Sequence, residues 1–194
     1  MSSKKQIFPK PNNSCSQDPG LCALCAKRGT TCCYIAPEKA ELCFPLSKPE
    51  TERLQAHCRG SLSLGKASNS PEFLSVMYSL FPGESVVVTK LFPADAQHLT
   101  LGTDQEGFCL HLGPAGCTLP REIRPWFCRL FPLWVSRGEL TAFSADYCLI
   151  AQQSISVRGM LKKINQNEAE VIDIYNRLRV GWGFVPHISG VKPG

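Results

Sequence analysis

The stretch that decides the fold runs from Phe108 to Pro132 and reads F-C-L-H-L-G-P-A-G-C-T-L-P-R-E-I-R-P-W-F-C-R-L-F-P. It places three cysteines, Cys109, Cys117 and Cys128, in one short window. A second group lies far upstream in L-C-A-L-C-A-K-R-G-T-T-C-C and consists of Cys22, Cys25, Cys32 and Cys33. Two distant thiol groups in a chain of 194 residues predict one shared metal centre.

The spacing within the upstream group carries its own information. A C-x2-C pair such as Cys22 and Cys25 can aim two sulfurs at one ion from a tight turn. We expect the side chains of the neighbours Cys32 and Cys33 to diverge, which favours two nearby sites or a polynuclear cluster. The alternative is a pair of buried cysteines beside one simple zinc knuckle.

Composition indicates a chain that folds around its own core in a reducing compartment. The chain is 43% hydrophobic and has 11 cysteines, an odd number that cannot all pair internally. We find no signal peptide and no apolar run near the ~20 residues that a membrane helix needs. The predicted location is therefore the cytoplasm, where clustered thiols hold metal more often than disulfides.

The net charge gives little support for a nucleic-acid partner. The formal value of +5 counts every thiol as neutral. Two sites of four thiolates, each holding a dipositive ion or cluster, would bring the loaded protein to about +1.

The pattern of the chain predicts an α+β fold: one small metal-stabilised domain with short β-hairpins and a long C-terminal amphipathic helix. We place a flexible arm at 1–20, the cysteine-cluster domain at 21–183 and a tail at 184–194. The spacing of Ser47 and Glu50 is that of a capping box, and Ser70 with Pro71 opens a second helix.

The later segments change in period. The β-branched run 85–92 and the alternating residues 98–112 predict strands, the latter broken by a polar turn near Thr103 to Gly107, with Cys109 on a strand. The Ser- and Gly-rich segment 61–70 predicts a loop. A hairpin is expected to turn at 137–139. Apolar residues at helical spacing predict one helix from Met160 to Val180, and their broad face consists of Leu161, Ile164, Val171, Ile172, Tyr175 and Leu178.

Several further residues near the thiols have two interpretations. Cys15, Cys43 and Cys58 are expected to be bystanders, and His111 a hydrogen-bonding histidine rather than a ligand. The alternative for each is ligation. Three arginines crowd the thiol window and either carry surface charge or donate hydrogen bonds to thiolates or to a neighbouring carboxylate, namely Arg121, Arg124 and Arg129.

The cysteine set resembles the family of YkgJ-type cysteine-cluster proteins, which are described as zinc- or iron-chelating domains with a C-x-x-C-x-x-C-C signature. The resemblance covers about residues 21–149 and includes R-P-W-F-C-R-L-F-P and a closing cysteine, Cys148. One departure is the six residues between Cys25 and Cys32, where the signature has two. The resemblance implies metal held by eight cysteines: Cys22, Cys25, Cys32, Cys33, Cys109, Cys117, Cys128 and Cys148.

Three functions follow as hypotheses. The first is an iron–sulfur or iron protein with a redox or accessory enzyme role, because polynuclear clusters are held by thiolates. The second is a structural zinc module that mediates binding to a protein partner. The third is metal storage or delivery. No motif identifies a reaction, so the sequence leaves open whether the protein is an enzyme.

Overall fold

The computed structural model describes residues 20–28 and 31–187, which form short helices and three two-stranded antiparallel sheets. This confirms the predicted α+β class. In chain order the elements are α1 (Leu21–Arg28), a 3-10 helix (Pro37–Leu42), α2 (Lys48–Cys58), β1 (Leu64–Ser68), α3 (Pro71–Leu80), α4 (Ser85–Leu91), β2 (Gln97–Leu101), β3 (Leu112–Gly113), β4 (Gly116–Cys117), α5 (Trp126–Leu130), β5 (Leu133–Ser136), β6 (Glu139–Ala142), α6 (Leu149–Gln152), α7 (Val157–Lys163) and α8 (Glu168–Gly181).

Both predicted helix starts are confirmed. The Glu50 carboxylate accepts hydrogen bonds from the Ser47 N–H at 2.9 Å and from the Ser47 hydroxyl at 2.7 Å. The Ser70 hydroxyl accepts from the Phe73 N–H at 3.1 Å and caps α3. In both helices a side chain accepts a hydrogen bond from a backbone N–H at the helix start.

Two predictions between residues 61 and 92 are wrong. The β-branched run 85–92 forms the helix α4, because burial of Val88 against α3 outweighs the strand preference of valine. The segment predicted as a loop contains β1, which pairs with β2 from Leu64 opposite Leu101 to Ser68 opposite Gln97. Backbone pairing to a strand far along the chain overrides the local composition of Ser and Gly.

The hairpin β5–β6 is confirmed at the predicted position. Leu133 pairs with Ala142 and Ser136 with Glu139. The two turn residues, Arg137 and Gly138, have φ values of 49° and 86°, which matches the twist of a two-residue hairpin loop.

The predicted single C-terminal helix is divided in two. Asn165 has a φ of 52° between α7 and α8, so the chain changes direction there. The predicted apolar face nevertheless packs inward: Val171, Tyr175 and Leu178 of α8 are buried. Phe184, just beyond α8, is also buried.

The main apolar core lies around α8 and the β5–β6 hairpin. Leu130, Leu133 and Leu178 have no exposed surface there. At the edge of this core Arg179 donates to Glu84 at 2.6 and 2.8 Å. Within the described residues no helix is long and apolar enough to cross a membrane.

Candidate metal centre

Seven of the eight predicted cysteines line one cavity of about 70 Å³. They come from both thiol groups and from the segment after the hairpin: Cys22, Cys25, Cys32, Cys33, Cys117, Cys128 and Cys148. The eighth, Cys109, lines an adjacent cavity together with Cys32, Cys33 and Cys128. The fold therefore brings the two distant groups to one place, which we call the thiol cavity.

The first two thiols lie on a helix rather than in the predicted tight turn. Cys22 and Cys25 are three residues apart on α1 and share a face of it. Gly116 of β4 makes room for this helix, because a Cβ at Gly116 would come within 2.7 Å of the Cys22 carbonyl carbon. Gly116 also has a φ of 97°, which favours glycine. The close approach brings α1 against the strand that ends in Cys117.

The thiols of Cys32 and Cys33 do not diverge as expected. They are hydrogen-bonded to each other, and both residues line both cavities. The Cys33 N–H donates to the Thr31 hydroxyl at 2.9 Å, and the Cys33 carbonyl accepts from the Cys109 N–H at 2.8 Å. The prediction that Cys109 lies on a strand is wrong, because the residue forms only an isolated bridge with Thr103. The bond to Cys33 connects Cys109 to the upstream group.

Cys128 lies on α5, and a buried carboxylate fixes the start of that helix. Glu50 is 1% exposed and accepts from the Trp126 N–H at 2.7 Å. Because Glu50 also caps α2 at Ser47, one side chain ties α2 to the helix that carries Cys128. Burial raises the pKa of Glu50, and its hydrogen bonds act in the opposite direction.

Cys148 immediately precedes α6. Its N–H donates to the Ala145 carbonyl at 2.8 Å, and the residue is 6% exposed. The next residue, Leu149, donates its backbone N–H to the sulfur of Cys25. The start of α6 thus joins α1 at the wall of the thiol cavity.

All three arginines of the thiol window line the cavity. Arg124 is 7% exposed, and its guanidinium donates to the Cys22 sulfur at 3.4 Å and to the Leu119 carbonyl at 2.9 Å. The predicted donation from arginine to sulfur is confirmed for Arg124. A fixed cation beside sulfur favours the thiolate form that binds metal.

The acid strengths of the thiols differ sharply. Burial raises the pKa of Cys25 and Cys128, and raises that of Cys109 to about 12. The hydrogen bond with Cys32 lowers the pKa of Cys33 to about 7, and Thr31 and Arg124 act in the same direction. Because neighbouring thiolates also raise one another's pKa, full ionisation of this set requires added positive charge.

Cys128 has accessible surface. The protein nevertheless surrounds its thiol closely, and this burial raises the pKa of the thiol. A sulfur that faces an internal cavity has both properties. Among residues 20–28 and 31–187, however, no three Cys, His, Asp or Glu side chains are placed as a metal-binding group. The thiols line the walls of a shared space instead of meeting at one point.

The remaining candidates lie elsewhere. Cys43 lines the adjacent cavity, whereas Cys58 packs with Leu54 and Leu119 in a smaller apolar cluster. His111 is 7% exposed, and its Nε2 is buried without a hydrogen-bond partner among the described residues. Cys15 lies outside the described residues.

Comparison of the chain with protein-family models, curated proteins and solved structures found no match. The resemblance to the cysteine-cluster family, and metal binding with it, therefore stay predictions. Two features of the site have no signal in the cysteine spacing. These are Glu50, which the capping box had already explained, and the adjacent cavity, whose lining comes from residues scattered between 32 and 147.

Proposed function

We propose that this protein is a cysteine-ligated metal protein with ligands Cys22, Cys25, Cys32, Cys33, Cys109, Cys117, Cys128 and Cys148, and that an iron–sulfur cluster is the best candidate for the metal. The observation that carries the proposal is the convergence of seven of these eight cysteines on one cavity. Hydrophobic packing alone gives no reason to gather thiols from segments this far apart in the chain.

The donor chemistry fits iron–sulfur or zinc, since both accept all-thiolate ligation. Size favours the cluster. A cavity needs only ~10–15 Å³ to hold one water molecule, and the thiol cavity measures about 70 Å³. Thiols spread over the walls of such a space suit a polynuclear group, whereas one zinc ion would have to draw four of them to within about 2.3 Å of itself.

The residues around the thiols would act on a bound cluster in three ways. Arg124 donates to a ligand sulfur, and the Leu149 N–H donates to another. Apolar side chains in the cavity wall, among them Leu112 and Ile164, would shield the site from water. Such a cluster would supply one-electron chemistry. Hydrogen bonds to sulfur and shielding are the means by which a protein sets its potential. A reducing cytoplasm would keep the ligand thiols available.

Structural zinc is the second candidate, and one observation favours it. The thiol cavity joins α1, the β3–β4 hairpin, α5 and the start of α6, all of which are short elements. A closed zinc site would hold them together without chemistry, and the protein would then present a surface to a protein partner. Storage or delivery would need metal that exchanges readily. The burial of the Cys128 thiol disfavours such exchange.

Anaerobic purification followed by elemental analysis and a visible spectrum tests the proposal. We expect iron with acid-labile sulfide and absorption in the visible range; colourless protein with stoichiometric zinc would select the second candidate. Cys128→Ser should lower metal content, and Cys58→Ser, a cysteine outside both cavities, is the matched control. Metal below about half an atom per chain, or equal loss in both variants, would contradict the proposal.

A further inference from the structure

A second cavity of about 280 Å³ opens beside the thiol cavity. Cys32, Cys33, Cys128 and Phe131 line both spaces, so these four residues form the wall between them. Cys43 and Cys109 line the second cavity only. Anything bound there would lie directly against the ligand thiols.

Apart from its thiols, this second cavity is lined by uncharged side chains. None of the described residues that line it is Asp, Glu, Lys, Arg or His. Aliphatic side chains contribute much of the surface, including Ile35, Leu42 and Leu101. Because burying an unpaired charge costs much more than burying an apolar group, such walls select an uncharged molecule.

Flat aromatic rings shape the same space. Phe44 and Phe127 stack at 3.7 Å between ring centroids with a 9° angle between planes. Phe131 and Tyr147 lie nearly parallel, with centroids 6.1 Å apart. Because these rings also stack on neighbouring rings, as Phe44 does on Trp182 at 5.2 Å, they form fixed apolar walls of the cavity.

The size and the exposure of the cavity are those of a small-molecule site. Its volume lies near the lower end of the ~300–1,000 Å³ typical of ligand pockets, which suits one or two fused rings. Tyr34 and Tyr147 line it and are 42% and 48% exposed, so the cavity reaches the surface beside them.

We propose that this cavity binds an uncharged, mainly apolar molecule of one or two rings and holds it against the wall formed by Cys32, Cys33 and Cys128. Its role as the substrate pocket of a metal enzyme rests on the proposed function. The binding itself depends only on the lining residues. If both hold, the protein is an enzyme or a sensor of small apolar molecules rather than a purely structural module.

Titration of the full-length protein with 5-fluoroindole, followed by ¹⁹F NMR, tests the binding. We expect saturable binding with a Kd at or below about 1 mM, and binding at least about tenfold weaker for the charged analogue 5-fluoroindole-2-carboxylate. Leu101→Trp fills the cavity and should weaken binding about tenfold. Leu110→Trp adds the same ring at a 51% exposed position outside the cavity and should bind like the unaltered chain.

A protection experiment on the unaltered chain avoids any dependence on how Leu101→Trp folds. Saturating 5-fluoroindole should slow iodoacetamide alkylation of Cys43, which lines the cavity, and leave Cys58 unchanged. No saturable binding, equal binding of the charged analogue, or equal rates at Cys43 with and without the ligand would overturn the proposal.

Metal content, measured on the same samples, separates this inference from the proposed function. Ligand binding by protein that contains no metal would support the binding site and contradict the proposed function. Metal with no ligand binding would do the reverse. If both are present, 5-fluoroindole should also shift the visible spectrum, since the shared wall places the ligand against the thiols.

Discussion

The two halves of this molecule are held together in different ways. Around α8 and the β5–β6 hairpin, large apolar side chains such as Leu133 and Leu178 are fully buried against one another. Around the thiol cavity the elements are short: α1 has eight residues, of which only Leu21 is buried, and β3 and β4 have two residues each. The first half has the denser apolar burial, whereas on the proposed function the second is held partly by the metal that its thiols bind.

Metal removal should give the largest effect and separates the halves directly. Without metal, the thiol segments lose their common attachment, while α8 keeps its buried face. We expect chelated protein to exchange amide hydrogens rapidly at 21–33 and 109–128 and to remain protected in α8, as measured by hydrogen exchange with mass spectrometry. Unchanged protection throughout would show that the thiol half supports itself.

Leu178→Ala tests the apolar half. Leu178 has no exposed surface, so its truncation leaves a cavity and should reduce the free energy of unfolding by about 2–5 kcal/mol. Val180→Ala, at a 55% exposed position of the same helix, should change it by less than about 0.5 kcal/mol. Urea denaturation measures both. Similar losses in the two variants would argue against this half as the stable one.

Gly116→Ala tests the close approach of α1 to β4. The added Cβ would lie 2.7 Å from a Cys22 backbone atom, in addition to ~1–2 kcal/mol of strain from the positive φ. Gly183→Ala has a similar φ of 86° but nothing within 4 Å, so it reports the strain alone. We expect Gly116→Ala to lose stability and metal, and Gly183→Ala to lose a little stability only. Retention of metal by Gly116→Ala would separate α1 from the site.

Glu50→Gln tests the tie between α2 and α5 with a smaller effect. The carboxylate accepts from Ser47 with one oxygen and from Trp126 with the other. The amide keeps one acceptor oxygen and places an NH2 donor against one of these two N–H groups, which costs about 1–3 kcal/mol. Glu52→Gln, on the same helix, removes only a solvent-exposed 3.9 Å contact with Lys48 and should be close to neutral. Thermal denaturation compares them, and equal stability of the two variants would contradict the role given to Glu50.

Cys33 provides the smallest and most local test. Because its pKa is lowered to about 7, its thiolate forms at lower pH than that of Cys58, whose pKa burial raises. In metal-free protein, alkylation of Cys33 should therefore increase as pH rises through about 7, well before Cys58 reacts. Thr31→Val removes one hydrogen bond to Cys33 and should move the midpoint upward. Peptide mass spectrometry across pH gives both curves.

The sequence predicts the parts of this fold that local chemistry determines. Ser47, Ser70 and the turn at Arg137 and Gly138 lie where their signals place them, because caps and tight turns depend on a few adjacent residues. The predictions for 61–70 and 85–92 were wrong because elements outside each segment decide its structure: the strand β2 for the first and the adjacent helix α3 for the second.

The same division applies to the candidate site. The two cysteine groups in the sequence predict that distant thiols meet, the family resemblance adds Cys148, and the structure places all eight around the two cavities. The cysteine spacing does not predict that Cys22 and Cys25 lie on a helix, because α1 packs closely against Gly116, which is far away in the sequence. Nor can it predict the apolar second cavity, whose aromatic and aliphatic residues look in the sequence like any other core residues.

The wide separation of the cavity's cysteines along the chain has a consequence for synthesis. Cys22 leaves the ribosome long before Cys148, and at about 5–20 residues per second the interval is roughly 6–25 s. During that time the early thiols have no cavity to line and face the surrounding solution. On the proposed function, oxygen or a stray metal ion encountered then would meet an unfinished site, and the fraction of correctly loaded chains would depend on the redox state and metal supply of the expressing cell.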